Sequence, residues 1–425
     1  MKNISRVSLY FFATFVAIAS SSVWMTVSLR VYVYLAVIFL GLTTLGLALI
    51  SSRNVRIRKN SLSVFVFLVL LLIVYFVRMY NYWVGNVSRM QQFVFLFLFF
   101  LPVVWLLFTI VGHSQFFHAY VNVITILAFV SLFFWVSVSL FHILRSSGSM
   151  PVVWGVPRSY PTFHYLYFES QTTTLFGRLL VRNSGIWPEG PMYAMVLSFA
   201  WIFELYISQI QRKPVLVILG LTLLSTLTFS AILVLGLSLL IGLIKAVKSR
   251  HSMVTSWSLI ILSLVALVPV VKIAVRMVTN KAQTVSASVR LDDYVAGFHS
   301  WMHGKLFGHG LSNFTYLSQY MNLDIRRWYM TGIVSYNTGL ANGWTQIVSD
   351  GGLVLLLVYL VMFVRGLLKS RKNRKLQIAY LFVLVFMFMF TMSYTYILIA
   401  FLASSITEER DSLAGDFSEA VLSPD

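Results

Sequence analysis

The residues of this chain with the most evident chemistry are arginines placed beside glycine-rich turns and beside groups that can take up a proton. One set lies in Arg178-Leu-Leu-Val-Arg182-Asn-Ser-Gly185-Ile-Trp187-Pro188-Glu189-Gly190-Pro191-Met-Tyr193. Gly185 and the stretch from Pro188 to Pro191 impose a tight, non-helical approach, and Pro191 suits the first turn of a following helix. Glu189 then stands at a helix amino terminus, where a carboxylate can cap free amides or accept a proton from a substrate hydroxyl. A second set begins at Arg290, one turn ahead of Tyr294, Phe298 and Trp301, whose spacing predicts a surface-lying helix over Ser286 to His303. It continues into Leu306-Phe-Gly308-His309-Gly310-Leu-Ser-Asn-Phe314, where two glycines let backbone approach a ligand around a histidine. Arginine's planar fork pairs with phosphate oxygens through charge-assisted hydrogen bonds, so Arg178, Arg182 and Arg290 point to a phosphorylated substrate. His299, His303 and His309 have no carboxylate or cysteine to complete a metal pattern, and no metal is expected. Asp292-Asp293 invites metal-bound nucleotide-sugar chemistry, but the βαβ unit that would hold a nucleotide is missing.

The elements that position these residues follow from composition. With 59% hydrophobic and 11% charged residues, the chain cannot be wrapped as a water-soluble globule. The absence of cysteine removes disulfides, thiolate metal sites and a cysteine nucleophile. A net charge of +19 would suggest nucleic acid if the cations shared one folded face; here they fall in short runs between long apolar stretches, so no nucleic-acid partner is expected. Apolar runs of about 20 residues predict spans near 8–28, 31–50, 62–77, 92–110, 119–141, 191–208, 214–229, 231–246, 254–274, 343–364, 376–391 and 393–406. The Ala17-Ile-Ala19 triplet resembles a signal cleavage site, but the apolar run resumes at once and predicts a retained first span.

Basic clusters at Lys2/Arg6, Arg53 to Lys59, Arg212/Lys213, Lys245 to Arg250 and Arg365 to Lys375 occupy alternate loops, which places those loops in the cytoplasm. The reading is therefore an all-α polytopic membrane domain over 1–406 with eleven or twelve spans, and a short polar tail over 407–425. Two long extracytoplasmic loops, about 142–190 and 275–342, hold the chemistry. Those loops carry Arg145, Arg158, Arg178, Arg182, Arg276, Lys281, Arg290, Lys305, Arg326 and Arg327, cations that topology does not explain. Among the acids only Glu204 falls well inside a span, which disfavours an ion-coupled transporter or flippase. A non-catalytic scaffold would not need arginines outside.

The Arg182 to Ala194 motif, Arg290 with its aromatic stripe, the Leu306 to Phe314 loop, and Asn342-Gly-Trp-Thr-Gln346 followed by Asp350-Gly-Gly, in that order, resemble the O-antigen and capsule repeat-unit polymerases (Wzy-type) and the related O-antigen ligases. The resemblance covers about 178–355. It implies a GT-C-like, inverting glycosyltransferase of the bacterial cytoplasmic membrane that uses neither metal nor cofactor. Its donor would be an undecaprenyl-pyrophosphate-linked oligosaccharide, transferred to a hydroxyl of a second lipid-linked repeat unit at the extracytoplasmic face. A chain-length regulator and a flippase would be partners. Carried over, Arg182 and Arg290, with Arg178, hold the pyrophosphate. The ligase-like pattern has a histidine before the Asn342 motif where this chain has Ala341, which leans to polymerase and leaves Glu189, then His309, as candidate proton acceptors.

Overall fold

A computed structural model describes residues 2–25, 29–52, 57–154, 156–175, 178–249, 285–330, 333–336 and 339–407. The expected span near 254–274, Arg276, Lys281 and the tail after Thr407 lie outside the described residues, as does the side chain of Arg178. In chain order the main helices are α1 (Lys2–Ala19), α2 (Arg30–Ser51), α3 (Lys59–Arg78), α4 (Tyr80–Gly85), α5 (Val87–Phe93), α6 (Leu101–Val111), α7 (His113–Phe134), α8 (Gly190–Ile202), α9 (Lys213–Ser225), α10 (Phe229–Ser249), α11 (Val285–His303), α12 (Gly343–Lys369), α13 (Arg374–Phe386) and α14 (Tyr396–Ile406).

Runs of Phe, Leu, Val and Ile become helices because a helix satisfies its backbone polar groups internally where no water can. Among the described residues six helical stretches are long and apolar enough to cross a membrane: Arg30–Ser51, Lys59–Arg78, Val87–Val111, His113–Leu140, Gly190–Ile207 and Gly343–Lys372. That is the pattern of a multi-pass membrane protein. Of the other expected spans that are described, Ser5–Ala19, Lys213–Ser225, Phe229–Gly242 and Tyr396–Ile406 are shorter apolar helices, and the span near 376–391 is met by the 13-residue helix α13. The run 214–246 breaks at Thr226 to Thr228, where the Thr226 hydroxyl bonds the Leu223 carbonyl and the Thr228 hydroxyl accepts from the Ala231 amide. Such side chains offer the backbone an alternative to the helix ladder. The run 376–406 breaks over Met387 to Thr395. After that break α14 is buried along its whole length, so it lies inside the bundle rather than against lipid.

The expectation of an all-α chain fails in the two long segments. The first folds as a three-stranded antiparallel sheet of β1 (Gly148–Trp154), β2 (Val156–Phe163) and β3 (Tyr167–Phe168), followed by the hairpin of β4 (Thr172–Leu175) and β5 (Arg178–Val181). The second carries the hairpin of β6 (Arg327–Met330) and β7 (Ile333–Tyr336). Their β-branched and aromatic residues, bounded by Gly and Pro, favour strands once the chain leaves the apolar runs.

Hydrogen bonds place both long segments at one end of the bundle. The Ile186 carbonyl accepts from Val23, and Trp187 Nε1 donates to Ser20, so the first segment rests on the α1–α2 connection. Arg30, at the start of α2, reaches Ser88, and Tyr82 of α4 donates to the Leu311 carbonyl of the second segment at 2.5 Å. At the opposite end Lys369 bonds the Thr407 carbonyl and Ser61 bonds the Ile406 carbonyl. Glu204 is fully buried there and forms paired bonds with Arg212, Nη2 to Oε2 at 2.7 Å and Nε to Oε1 at 3.1 Å. Its charge is neutralised, which is what a carboxylate in such a position requires.

Candidate active site

In the Arg182 to Pro191 segment the residues between the two ionisable groups are buried and structural. Asn183 donates to Ser225 Oγ at 2.9 Å and accepts from the Gly185 amide at 3.1 Å; Ser184 donates to the Phe168 carbonyl at 2.8 Å. Trp187 stacks on Tyr193 at 4.6 Å between ring centroids. Gly185 has φ 54°, and a Cβ there would meet the Tyr193 ring at 3.0 Å, so only glycine fits this turn. Arg182 and Glu189 at the two ends are the members left partly open.

Gly190 explains how they come together. A Cβ on it would lie 3.3 Å from Arg182 Cδ and 3.1 Å from the Thr226 carbonyl, so the arginine stem packs against the α8 amino terminus directly after Glu189. Arg182 Nη2 donates to Thr173 Oγ1 at 3.2 Å, whereas its buried Nε has no hydrogen-bond partner among the described residues. Burial lowers the guanidinium pKa from its ordinary value, and the nearby Glu189 carboxylate opposes that shift. Glu189 is the N-cap residue of α8 but its side chain makes no cap hydrogen bond, so the capping role open to it from sequence is not the one it plays.

The second set is organised around a break in α12. Gly352 has φ 56° and ψ −149° inside that helix. The interruption frees the carbonyls of Ser349 and Asp350, which accept from the amides of His309 at 3.1 Å and Gly310 at 2.9 Å. In return the amides of Leu353 and Val354 donate to the carbonyls of Lys305 and Leu306. The two glycine motifs, separate in sequence, thus form one backbone-paired unit. Its glycines are obligatory: a Cβ on Gly308 would lie 2.4 Å from the Asp350 carbonyl carbon, and one on Gly352 2.6 Å from that of Leu306.

His309 sits on this unit with its ring stacked on Tyr316 at 3.6 Å. Its Nε2 lies 2.9 Å from the Ser300 carbonyl, which can only accept, so Nε2 carries the proton and Nδ1 keeps a free lone pair in the neutral ring. Burial lowers the imidazole pKa, partly offset by that hydrogen bond. His299 and His303 stack instead on Tyr320, and no group of three metal-ligating side chains occurs among the described residues.

Helix α11 forms over Val285–His303, close to the expected range, and buries Val289, Asp293, Ala296 and Ser300. Gly297 allows close approach to α12, since a Cβ would meet Thr345 Cβ at 2.8 Å. The Tyr294 and Phe298 stripe is on the other, exposed side, and Arg290 is exposed with it. Arg182 and His309 share no hydrogen-bonding partner among the described residues. Arg182 lies beside Glu189, whereas Arg290 stands ten residues before Ser300 on α11, about 15 Å along the helix from the carbonyl that holds His309, so the expected site residues are not brought into one group. Arg178 opens β5 two strand turns ahead of Arg182.

Neither models of known protein families nor curated proteins match this chain. The functional reading rests on the residues themselves.

Three features escaped the sequence reading. Asp350 is buried inside α12, accepting from Tyr394 at 2.9 Å, so Glu204 is not the only acid within a span. Arg326 is fully buried between Asp292 and Asp293, each 2.6 Å away, and Asp293 also accepts from the Ala341 amide at 2.8 Å. Burial raises the Asp293 pKa against the pull of these bonds. This cluster pairs Arg326 and fixes the entry to α12. Finally, Arg78 lies over the Phe307 ring at 6.0 Å and Arg89 over Phe314 at 5.7 Å, bringing cations from the α3–α5 hairpin to the His309 loop. Their position at span ends away from the basic clusters was the available signal.

Proposed function

We propose that this protein polymerises undecaprenyl-pyrophosphate-linked oligosaccharide repeat units into capsule, exopolysaccharide or O-antigen at the outer face of the bacterial cytoplasmic membrane. The observation that carries this reading is Arg182: a partly open guanidinium with a buried, unpartnered Nε, seated against a helix amino terminus beside a carboxylate that does not cap it. A buried donor without an acceptor is costly, and an incoming phosphate oxygen would relieve it.

In the proposed reaction an acceptor hydroxyl oxygen bonds to the anomeric carbon from the side opposite the pyrophosphate. The carbon–oxygen bond to phosphate breaks with its electron pair, and Arg182 stabilises the charge on the departing pyrophosphate. Glu189 takes the hydroxyl proton; His309, with Nδ1 free, is the second candidate. Twelve spans with both long segments outside, a GT-C-like architecture, and association with a flippase and a chain-length regulator belong to the same proposal. An O-antigen ligase would use the same donor site. A flippase or ion-coupled transporter draws on a different observation, the buried Asp350 beside a helix break, since such breaks bind ions in transporters. Here, however, the freed carbonyls of Ser349 and Asp350 are already bonded by the His309 loop.

The test is surface polysaccharide from cells carrying Arg182→Ala or Glu189→Gln in correctly inserted protein. Loss of one donor at a developing anion costs about 10²–10³ in rate, and loss of a proton acceptor about 10²–10⁴. Single repeat units should accumulate in both. Wild-type chain lengths in both variants would overturn the reading, and long chains stranded on the lipid carrier would mark a ligase.

A further inference from the structure

The bundle end that carries the two long segments has a second concentration of positive charge away from Arg182. Arg30 begins α2, donating through Nε to the Met25 carbonyl at 2.9 Å and through Nη1 to Ser88 Oγ at 3.0 Å. Ser88 is the chain neighbour of Arg89, whose Nη1 donates to Gln92 at 3.1 Å. The Arg30–Ser88 bond ties the start of α2 to α5 at the residue before Arg89. Arg78 ends α3, exposed. Arg89 and Arg78 lie over Phe314 and Phe307, on either side of the His309 loop.

None of the three forms an ion pair with a carboxylate among the described residues. Burial and the neighbouring Asp350 push the Tyr82 hydroxyl up to about 12, against the pull of Arg89, which sets Tyr82, Arg89 and Asp350 in one neighbourhood. Asp350 itself is engaged by Tyr394. Cations at the non-cytoplasmic ends of spans run against the ordinary charge bias of membrane proteins. Cations on three elements at this end of the bundle, two of them over aromatic rings and none in a salt bridge among the described residues, are suited to an anion at the depth of a lipid head group.

We infer that Arg30, Arg78 and Arg89 form a second anion site, which holds the pyrophosphate of the acceptor's lipid carrier while Arg182 holds that of the donor. The inference rests on the polymerase reading, and it follows from the chemistry of that reaction. Both substrates carry a pyrophosphate, but only the donor's departs. The acceptor's reacting hydroxyl is separated from its own phosphate by a repeat unit, so its phosphate must be bound apart from the donor's. The two arginine groups share no residue and rest on different elements, one before α8 and one on α2, α3 and α5. This arrangement leaves Glu189, next to Arg182, at the end where the hydroxyl reacts.

The test measures binding of undecaprenyl pyrophosphate to the full-length protein in zwitterionic nanodiscs, with phosphatidylglycerol as the competing source of lipid phosphate. Wild type should bind two equivalents. Arg182→Ala should remove one, and Arg30→Gln with Arg89→Gln the other, with at least a tenfold loss of affinity for it. Arg78→Gln, at an exposed position, should weaken the same equivalent on its own, and Arg30→Lys with Arg89→Lys should recover part of the loss if the double glutamine variant fails to fold. One equivalent in wild type, sensitive only to Arg182, would overturn the second site and leave the polymerase reading standing. No binding in wild type would overturn both. A site that prefers phosphatidylglycerol would make it a bulk-lipid anchor and overturn the acceptor assignment.

Discussion

At the scale of single residues, His309 is the candidate proton acceptor whose protonation the fold alters. His309 is half-buried, its Nε2–H is committed to the Ser300 carbonyl, and burial with the nearby His303 disfavours a second proton. Its folded pKa is therefore below the 6.5 of a free imidazole. The linkage sign follows: above about 6.5 neither the folded nor the unfolded state binds the proton and stability is unaffected. As pH falls below that value the unfolded chain takes up the proton more readily, and stability is lost until the folded pKa is passed. Thermal unfolding in detergent should therefore shift downward between pH 7.5 and pH 5.5, and His309→Gln, which cannot titrate, should flatten that shift. An identical pH dependence in the variant would show that His309 is not the group responsible. The candidate residues were legible from type and neighbourhood, because arginine beside glycine and a carboxylate is a local pattern. Which of them are already partnered was not legible: Arg326 reads like Arg182 in the sequence, and only the fold brings Asp292 and Asp293 around it.

At the scale of elements, the pairing of the His309 loop with the α12 break is the feature with the sharpest mechanical consequence. Gly308 and Gly352 both have positive φ and both have a backbone carbonyl carbon where a side chain would go. Alanine at either should cost about 1–2 kcal/mol from backbone conformation alone, with the steric clash added to that. Gly46 in α2 has ordinary φ and open space around it, so Gly46→Ala should be neutral or stabilising by up to about 1 kcal/mol. Thermal stability of the three variants in one detergent checks the contrast, and equal effects at Gly46 and Gly308 would sink it. The helix over Val285–His303 was predictable from periodicity, but its buried face was not. The aromatic stripe marks the face turned away from the bundle, and α11 buries Ala296, Gly297 and Ser300 because small residues let two helices approach closely. The strands β3 to β7 escaped the reading because they are only two to four residues long, and β1 and β2 because Pro151, Pro157 and Pro161 interrupt the strand pattern.

At the scale of the whole molecule, alternation of the connections between two ends predicts sidedness. Because the chain contains no cysteine, single introduced thiols report position without background. Ser146→Cys and Gln319→Cys should react with a membrane-impermeant maleimide in intact cells, whereas Gln211→Cys and Arg371→Cys should react only after permeabilisation. The reverse pattern would overturn both the topology and the proposed site. Composition and run length by themselves determined that this is a multi-pass helical protein, since transfer of apolar surface out of water is additive along the chain and needs no knowledge of neighbours. They also marked the two long segments between apolar runs, which fold against the helices rather than into them. Only the tertiary structure decided which helices are cut short, that α14 is enclosed by protein, that Asp350 is buried, that Arg78 and Arg89 meet the His309 loop, and that Arg30 reaches Ser88 beside Arg89. Those outcomes depend on which side chains from distant positions meet, and a buried charge or an unpaired carbonyl is resolved by whatever group the fold brings within hydrogen-bonding distance.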